Sequence, residues 1–169
     1  MTIRRIVEAI AGVVLLATHA VGCGYRSAHH PEASGGRYCV ESGPQPSYPK
    51  AASSLLMGAQ DALASSSLLA DCTEAHRLVL QVQDVSFEPE GVIDPGQLTA
   101  RGTRVRVTAA GRVGKREIGT VIKEAVVATG ANALSEKNAQ DVGVTIAAQR
   151  AGKSIVFMML GEPIPTTIE

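Results

Sequence analysis

Gly102-Thr103-Arg104-Val105-Arg106-Val107-Thr108-Ala109-Ala110 is the stretch whose pattern decides the fold. Val105, Val107 and Ala109 alternate with Arg104, Arg106 and Thr108, so an extended backbone sends the first set to one face and the second to the other. That is a strand with one buried and one open side. Upstream, Leu78, Leu80 and Val82 alternate with Val79, Gln81 and Gln83, and predict another strand over 78–83. Pro89, Gly91, Pro95 and Gly96 follow it and read as a turn-rich connection. Downstream, Gly111 to Gly114 reads as a turn. The β-branched residues Ile118, Thr120, Val121, Ile122, Val126 and Val127 then predict a third strand over 116–128.

The flanks of this β region carry a different period. Leu55, Leu56, Ala59, Leu63 and Ala70 share a stripe at helical spacing, while Ser53, Gln60, Asp61 and Ser67 lie off it. The spacing predicts a helix over about 50–69, with Ser47 as its cap and Pro49 in its first turn. Val144, Ala148, Ala151, Ile155 and Met159 predict a second helix that ends near Leu160, capped by Ser135 and stopped by Gly161 and Pro163. Arg37 to Glu41 is a short strand candidate ahead of Gly43-Pro44-Gln45-Pro46. The order is β-α-β-β-β-α. Consecutive strands joined by turns pair antiparallel, and both helices must cover one face. The expected fold is an α+β two-layer sandwich with a mostly antiparallel sheet of about four strands.

The beginning of the chain reads differently. Arg4 and Arg5 precede the apolar run Ile10 to Ala17, and small residues lead to Ala20-Val21-Gly22-Cys23. This is the layout of a secretory signal. The run is far shorter than the roughly 20 residues of a spanning helix. The sequence Ala-Val-Gly-Cys resembles the bacterial lipobox, which implies cleavage before Cys23 and lipid on its thiol. Two or more acyl chains, at about 0.8 kcal/mol per buried CH₂, anchor a protein stably. Gly24 rather than Asp after the cysteine, by resemblance to lipoproteins of two-membraned bacteria, points to the outer membrane. The expected division is a signal over 1–22, a lipidated tether over 23–36 (polar, small and aperiodic), an α+β domain over 37–163 and a tail over 164–169.

Composition narrows the function. Lys and Arg number 16 and Asp and Glu 16, so no global field draws in nucleic acid. The balance is uneven along the chain: Arg101, Arg104, Arg106, Arg112, Lys115, Arg116 and Lys123 form a basic stretch, and Asp84, Glu88, Glu90 and Asp94 an acidic one. Either can be a solvated face. Cys39 and Cys72 are an even pair in an exported chain and read as a candidate disulfide, with free buried thiols as the other possibility. No Ser-His-Asp or Cys-His layout, phosphate-cradling loop or metal spacing is present, so no catalytic residue, cofactor or metal ligand is assigned. His29 and His30 are adjacent and project apart. Met158 and Met159 read as core filling.

The order β-α-β-β-β-α behind Cys23-Gly24-Tyr25-Arg26 resembles the LptE-type lipoproteins of lipopolysaccharide assembly. The corresponding pieces are Cys23 to Arg26, Leu55 to Leu69, Thr103 to Ala110 and Asn138 to Leu160. The sequence departs from the family pattern at Gly43-Pro44-Gln45-Pro46 and in its serine-rich first helix. The resemblance implies an outer-membrane lipoprotein on the periplasmic face that plugs a β-barrel partner (an LptD-like translocon) and contacts lipopolysaccharide through basic residues. Arg104, Arg106, Arg112, Lys115 and Arg116 suit such an anionic lipid, because arginine meets phosphate in a charge-assisted, bidentate geometry. A different expectation is an auxiliary or structural lipoprotein of another periplasmic export system.

Overall fold

Val105, Val107 and Ala109 are fully buried, while Arg104 and Arg106 on the alternate positions keep 37% of their side-chain surface exposed. The computed structural model describes residues 36–44, 48–92, 100–129 and 132–163. Their elements are β1 (Tyr38–Ser42), α1 (Pro49–Ser65), β2 (His76–Val92), β3 (Ala100–Val113), β4 (Arg116–Thr129) and α2 (Ala133–Leu160). The sheet order is β1-β2-β3-β4, with β1 parallel to β2 and the other pairs antiparallel. Helix α1 lies against β1 and β2, and α2 lies across β3 and β4 and against α1. Among the described residues no element covers the other face. The expected α+β sandwich is the fold.

Aliphatic side chains fill the layer between helices and sheet. Leu55 and Leu63 of α1, Leu78 and Leu80 of β2, and Ile155 and Val156 of α2 are all fully buried. The helices touch through small residues. A Cβ on Gly58 would overlap the backbone of Gln149, and one on Gly152 would overlap the carbonyl of Leu55. Removing the side chain at these two points is what lets the backbones approach.

Several boundaries differ from expectation, each for a local reason. Helix α1 stops at Ser65 rather than Leu69, since Ser67 takes a left-handed φ of 58° and Leu68 N–H turns back to the Leu63 carbonyl. Its cap position is Tyr48, without a side-chain cap bond, rather than Ser47, which lies outside the described residues. Pro49 sits in the first turn as expected. Helix α2 is capped by Asn132, whose Oδ1 accepts from Ser135 N–H at 2.8 Å while Ser135 Oγ donates to the Asn132 carbonyl at 2.8 Å. At its other end Gly161 turns left-handed at φ 72°, and Glu162 N–H reaches the Phe157 carbonyl at 2.9 Å.

The largest differences are in the strands. β2 does not end near Gln83 but runs on through Pro89 and Gly91 to Val92. Its pairing with β1 ends at Ser42–Leu80, so beyond that point the strand is an edge, where a proline deprives no ladder of a donor. A register shift between Val82 and Asp84 puts Val85 back on the buried side. The turn expected at Gly111 to Gly114 is shorter. β3 continues to Val113, and only Gly114 (φ 57°) and Lys115 form the turn. Edge strand β4 is guarded as well: Lys123, opposite buried Val107, sits on the helix side, and Arg150 of α2 donates to the Glu124 carbonyl at 3.4 Å.

Candidate binding surface

The uncovered face of the sheet carries most of the residues expected to bind an anionic ligand, and the structure divides them into two groups. Arg104 and Arg106 stand mid-strand on β3. Arg104 Nη2 donates to Glu90 Oε1 at 2.6 Å, with Glu124 Oε2 at 3.9 Å from its Nε. Arg106 Nε donates to Glu124 Oε1 at 2.7 Å and its Nη1 to Glu88 Oε1 at 3.3 Å. These are diagonal and direct cross-strand contacts, set by the register Glu88–Arg104 on one side and Arg106–Glu124 on the other. The acidic stretch of β2 therefore meets the basic stretch of β3 as a ladder. The guanidinium pKa of Arg104 is raised chiefly by its hydrogen bond to Glu90 and then by that carboxylate's charge. That of Arg106 is raised by its bond to Glu124, then by the charges of Glu88 and Glu124. The two guanidiniums therefore stay charged and paired through neutral pH, and their share of the pairing is lost as pH climbs past the guanidinium range.

Arg104 and Arg106 lie on the open face, as the alternation with Val105 and Val107 predicts, and there they are paired with acids. Three carboxylates already occupy them. Glu88, Glu90 and Glu124 were visible in the sequence as charges; their partnership was not, because it depends on a β2–β3 register that continues past Pro89.

The second group is separate. Arg112, Lys115 and Arg116 lie at the β3–β4 hairpin tip, about 20 Å along the strand from Arg106 at the rise of an antiparallel strand. All three are exposed, and none forms an ion pair with another described residue. Arg112 stands opposite Glu117 in the register. Between tip and ladder the open face dips into a depression of about 260 Å³ lined by Pro44, Val79, Gln81, Arg112, Glu117 and Thr120 among others. On β4 the same face exposes Ile122 and Val126 by more than half.

Cys39 and Cys72 come together as a disulfide with a Cα–Cα distance of 5.1 Å. Glu41 is the third member of a group whose donor atoms lie within 4.8 Å of one another. The sulfurs bond to each other, and Glu41 pairs with Arg77 at 3.2 Å. His76, at the entrance of β2, lies with its ring 5.8 Å from that of Tyr38. Cys23 and the adjacent His29 and His30 lie outside the described residues, and no described helix is long and apolar enough to cross a membrane.

The ladder gives a first testable consequence. Arg104→Gln together with Arg106→Gln should lower the thermal midpoint only slightly, with the loss shrinking as salt is raised, because partly exposed pairs are screened. Calorimetry at low and high salt checks this. A large, salt-independent loss would contradict the exposed-ladder account.

No protein-family model matches the chain, and no curated protein matches it. Among solved structures it is similar to a Caulobacter crescentus chain assigned as a lipoprotein, with 17% identity over 73% of this chain and 88% of that one and a TM-score of 0.47. It is also similar to a minor lipoprotein of Acinetobacter baumannii (16% identity, 71% and 91% covered, TM-score 0.45). A third is rare lipoprotein B of Shewanella oneidensis (14% identity, 74% and 94% covered, TM-score 0.42). All three neighbours are lipoproteins by name.

Proposed function

We propose that this chain is a lipid-anchored, non-catalytic subunit at the periplasmic face of the outer membrane. It docks on a β-barrel partner and assists lipopolysaccharide assembly. The observation that carries the reading is the apolar run ending in Ala20-Val21-Gly22-Cys23 ahead of a single α+β domain. The fold supports a binding role. One face of the sheet is sealed by helices, while the other offers a ladder of paired charge, exposed Ile122 and Val126 and a shallow depression, the mixture of polar and apolar surface that transient docking uses. Contact with anionic lipid falls to Arg112, Lys115 and Arg116, since Arg104 and Arg106 are engaged.

Two experiments test the two halves of this reading. Cys23→Ser should release the protein from membranes or leave the precursor uncut, and labelled palmitate should no longer enter it. Incorporation of palmitate into the variant would sink the anchor. Crosslinking in cells followed by purification should recover a large β-barrel protein. Recovery of an inner-membrane transporter instead would favour an auxiliary subunit of another export system.

A further inference from the structure

We infer that the β3–β4 hairpin tip is a second membrane contact, in which Arg112, Lys115 and Arg116 dock on anionic phospholipid headgroups of the leaflet that holds the Cys23 anchor. The inference rests on the anchor proposed above, and it adds an orientation. The register supplies the geometry: Tyr38 pairs with His76, Leu78 with Val113, and Val113 with Arg116. The first residue of β1 and the hairpin tip therefore lie at the same end of the sheet, separated across it by three strand spacings, about 14 Å. The 14 residues from Gly24 to Arg37 join Cys23 to β1. A segment of that length reaches at most about 50 Å. The chain thus enters β1 at the end of the sheet that carries the tip. The far end of the same strands, at Gly91, is about 45 Å further away for a 14-residue strand.

Charge agrees with placement. Arg112, Lys115 and Arg116 face one nearby carboxylate on the hairpin, Glu117, and Arg37 adds an exposed cation at the start of β1. The other described acids toward this end are Glu41, held by Arg77, Asp71 and Glu74 on the segment leading into β2, beside the opposite edge of the sheet, and Glu162 just after α2. A lipid chain combined with a basic patch is a two-signal attachment, and each Lys or Arg near an anionic surface shifts the docked-to-undocked ratio about fivefold.

The test uses the lipidated full chain in vesicles of phosphatidylcholine, alone or mixed with phosphatidylglycerol, with nitroxide on the phospholipid headgroups. A fluorophore is placed by Gly114→Cys in the tip turn, which leaves the three cations in place, or by Gly91→Cys at the far end, and a Cβ at either position meets nothing within 4 Å. Tip fluorescence should be quenched in the anionic vesicles, fall back in high salt, and lose about fivefold in docked ratio for each of Arg112→Gln and Arg116→Gln. The far-end label should stay bright. Equal, weak quenching at both positions in protein that remains on the vesicles would overturn the tip contact and leave the anchor standing. Quenching that needs added lipopolysaccharide would overturn the assignment to phospholipid. Protein that leaves the vesicles altogether would refute the anchor itself.

Discussion

Gly152→Ala should destabilise the domain by about 1–3 kcal/mol, as overpacking a close contact does, although the same change in a free helix would stabilise it by about 1 kcal/mol. The two effects have opposite signs, so the measurement decides between them. Residue 152 sits mid-way along the second half of α2, fully shielded, where a Cβ would overlap the Leu55 carbonyl and come within 2.9 Å of Ala59 N. Both obstacles are backbone and cannot rotate away. The helices must separate, and that loosens Leu55, Ala59 and Ala148, all fully buried now. Gly58→Ala meets the backbone of Gln149 in the mirror arrangement. Because either substitution parts the same two helices, the double variant should cost less than the sum of the singles. Gly91→Ala, with nothing within 4 Å of its Cβ, is the control and should be nearly neutral. Thermal unfolding of the four variants checks all of this. A more stable Gly152→Ala protein would mean that helix propensity outweighs the contact, and that the interface is looser than described.

The same two glycines show where sequence reading fails. Taken by propensity alone, Gly58 and Gly152 weaken both helices. Their value emerges only when two helices are brought together, and no local pattern reports that. What was legible is the alternation of Val105, Val107 and Ala109 with Arg104, Arg106 and Thr108, because period two needs no tertiary information. The continuation of β2 was not legible, for a physical reason. Gln83 and Asp84 are adjacent polar residues at a bulge, and after it Asp84-Val85-Ser86-Phe87-Glu88 alternates in the opposite phase. A single-phase search ends at the bulge, and Pro89 and Gly91 then read as a turn.

The charged residues follow from that miss. With β2 ended at Gln83, Glu88 and Glu90 have no strand to sit on, and Arg104 and Arg106 look unpartnered. Extending the strand by nine residues brings the carboxylates beside the guanidiniums. The basic stretch then contains Arg104 and Arg106, paired across the sheet, and Arg112, Lys115 and Arg116, which form no ion pair with another described residue. The reading of Cys23 as a lipidation site is of the opposite kind, since it rests on composition and order alone and Cys23 lies outside the described residues.

Loss of the Cys39–Cys72 bond should cost roughly 3–4 kcal/mol, the loop-closure entropy of a separation of 33 residues. The location makes this loss consequential. β1 has only five residues, at one edge of the sheet, with a single neighbouring strand. Besides its ladder with β2 it is held by Tyr38 N–H to the Leu68 carbonyl at 2.8 Å and Ala70 N–H to the Tyr38 carbonyl at 2.9 Å. The disulfide ties the same two segments, so it closes the loop that contains α1. Cys39→Ala with Cys72→Ala should therefore lower the thermal midpoint by many degrees and expose β1 to hydrogen exchange before β3 or β4. Cys39→Ala alone should leave Cys72, half-buried, as a thiol able to cross-link two chains under oxidising conditions. In protein taken from cells, alkylation without reduction followed by mass analysis should find neither cysteine modified. Two freely alkylated thiols would show that the bond does not form in vivo. An unchanged midpoint in the double alanine variant would show instead that β1 and α1 are held by packing and the backbone ladder, and that the loop is already closed without the sulfurs.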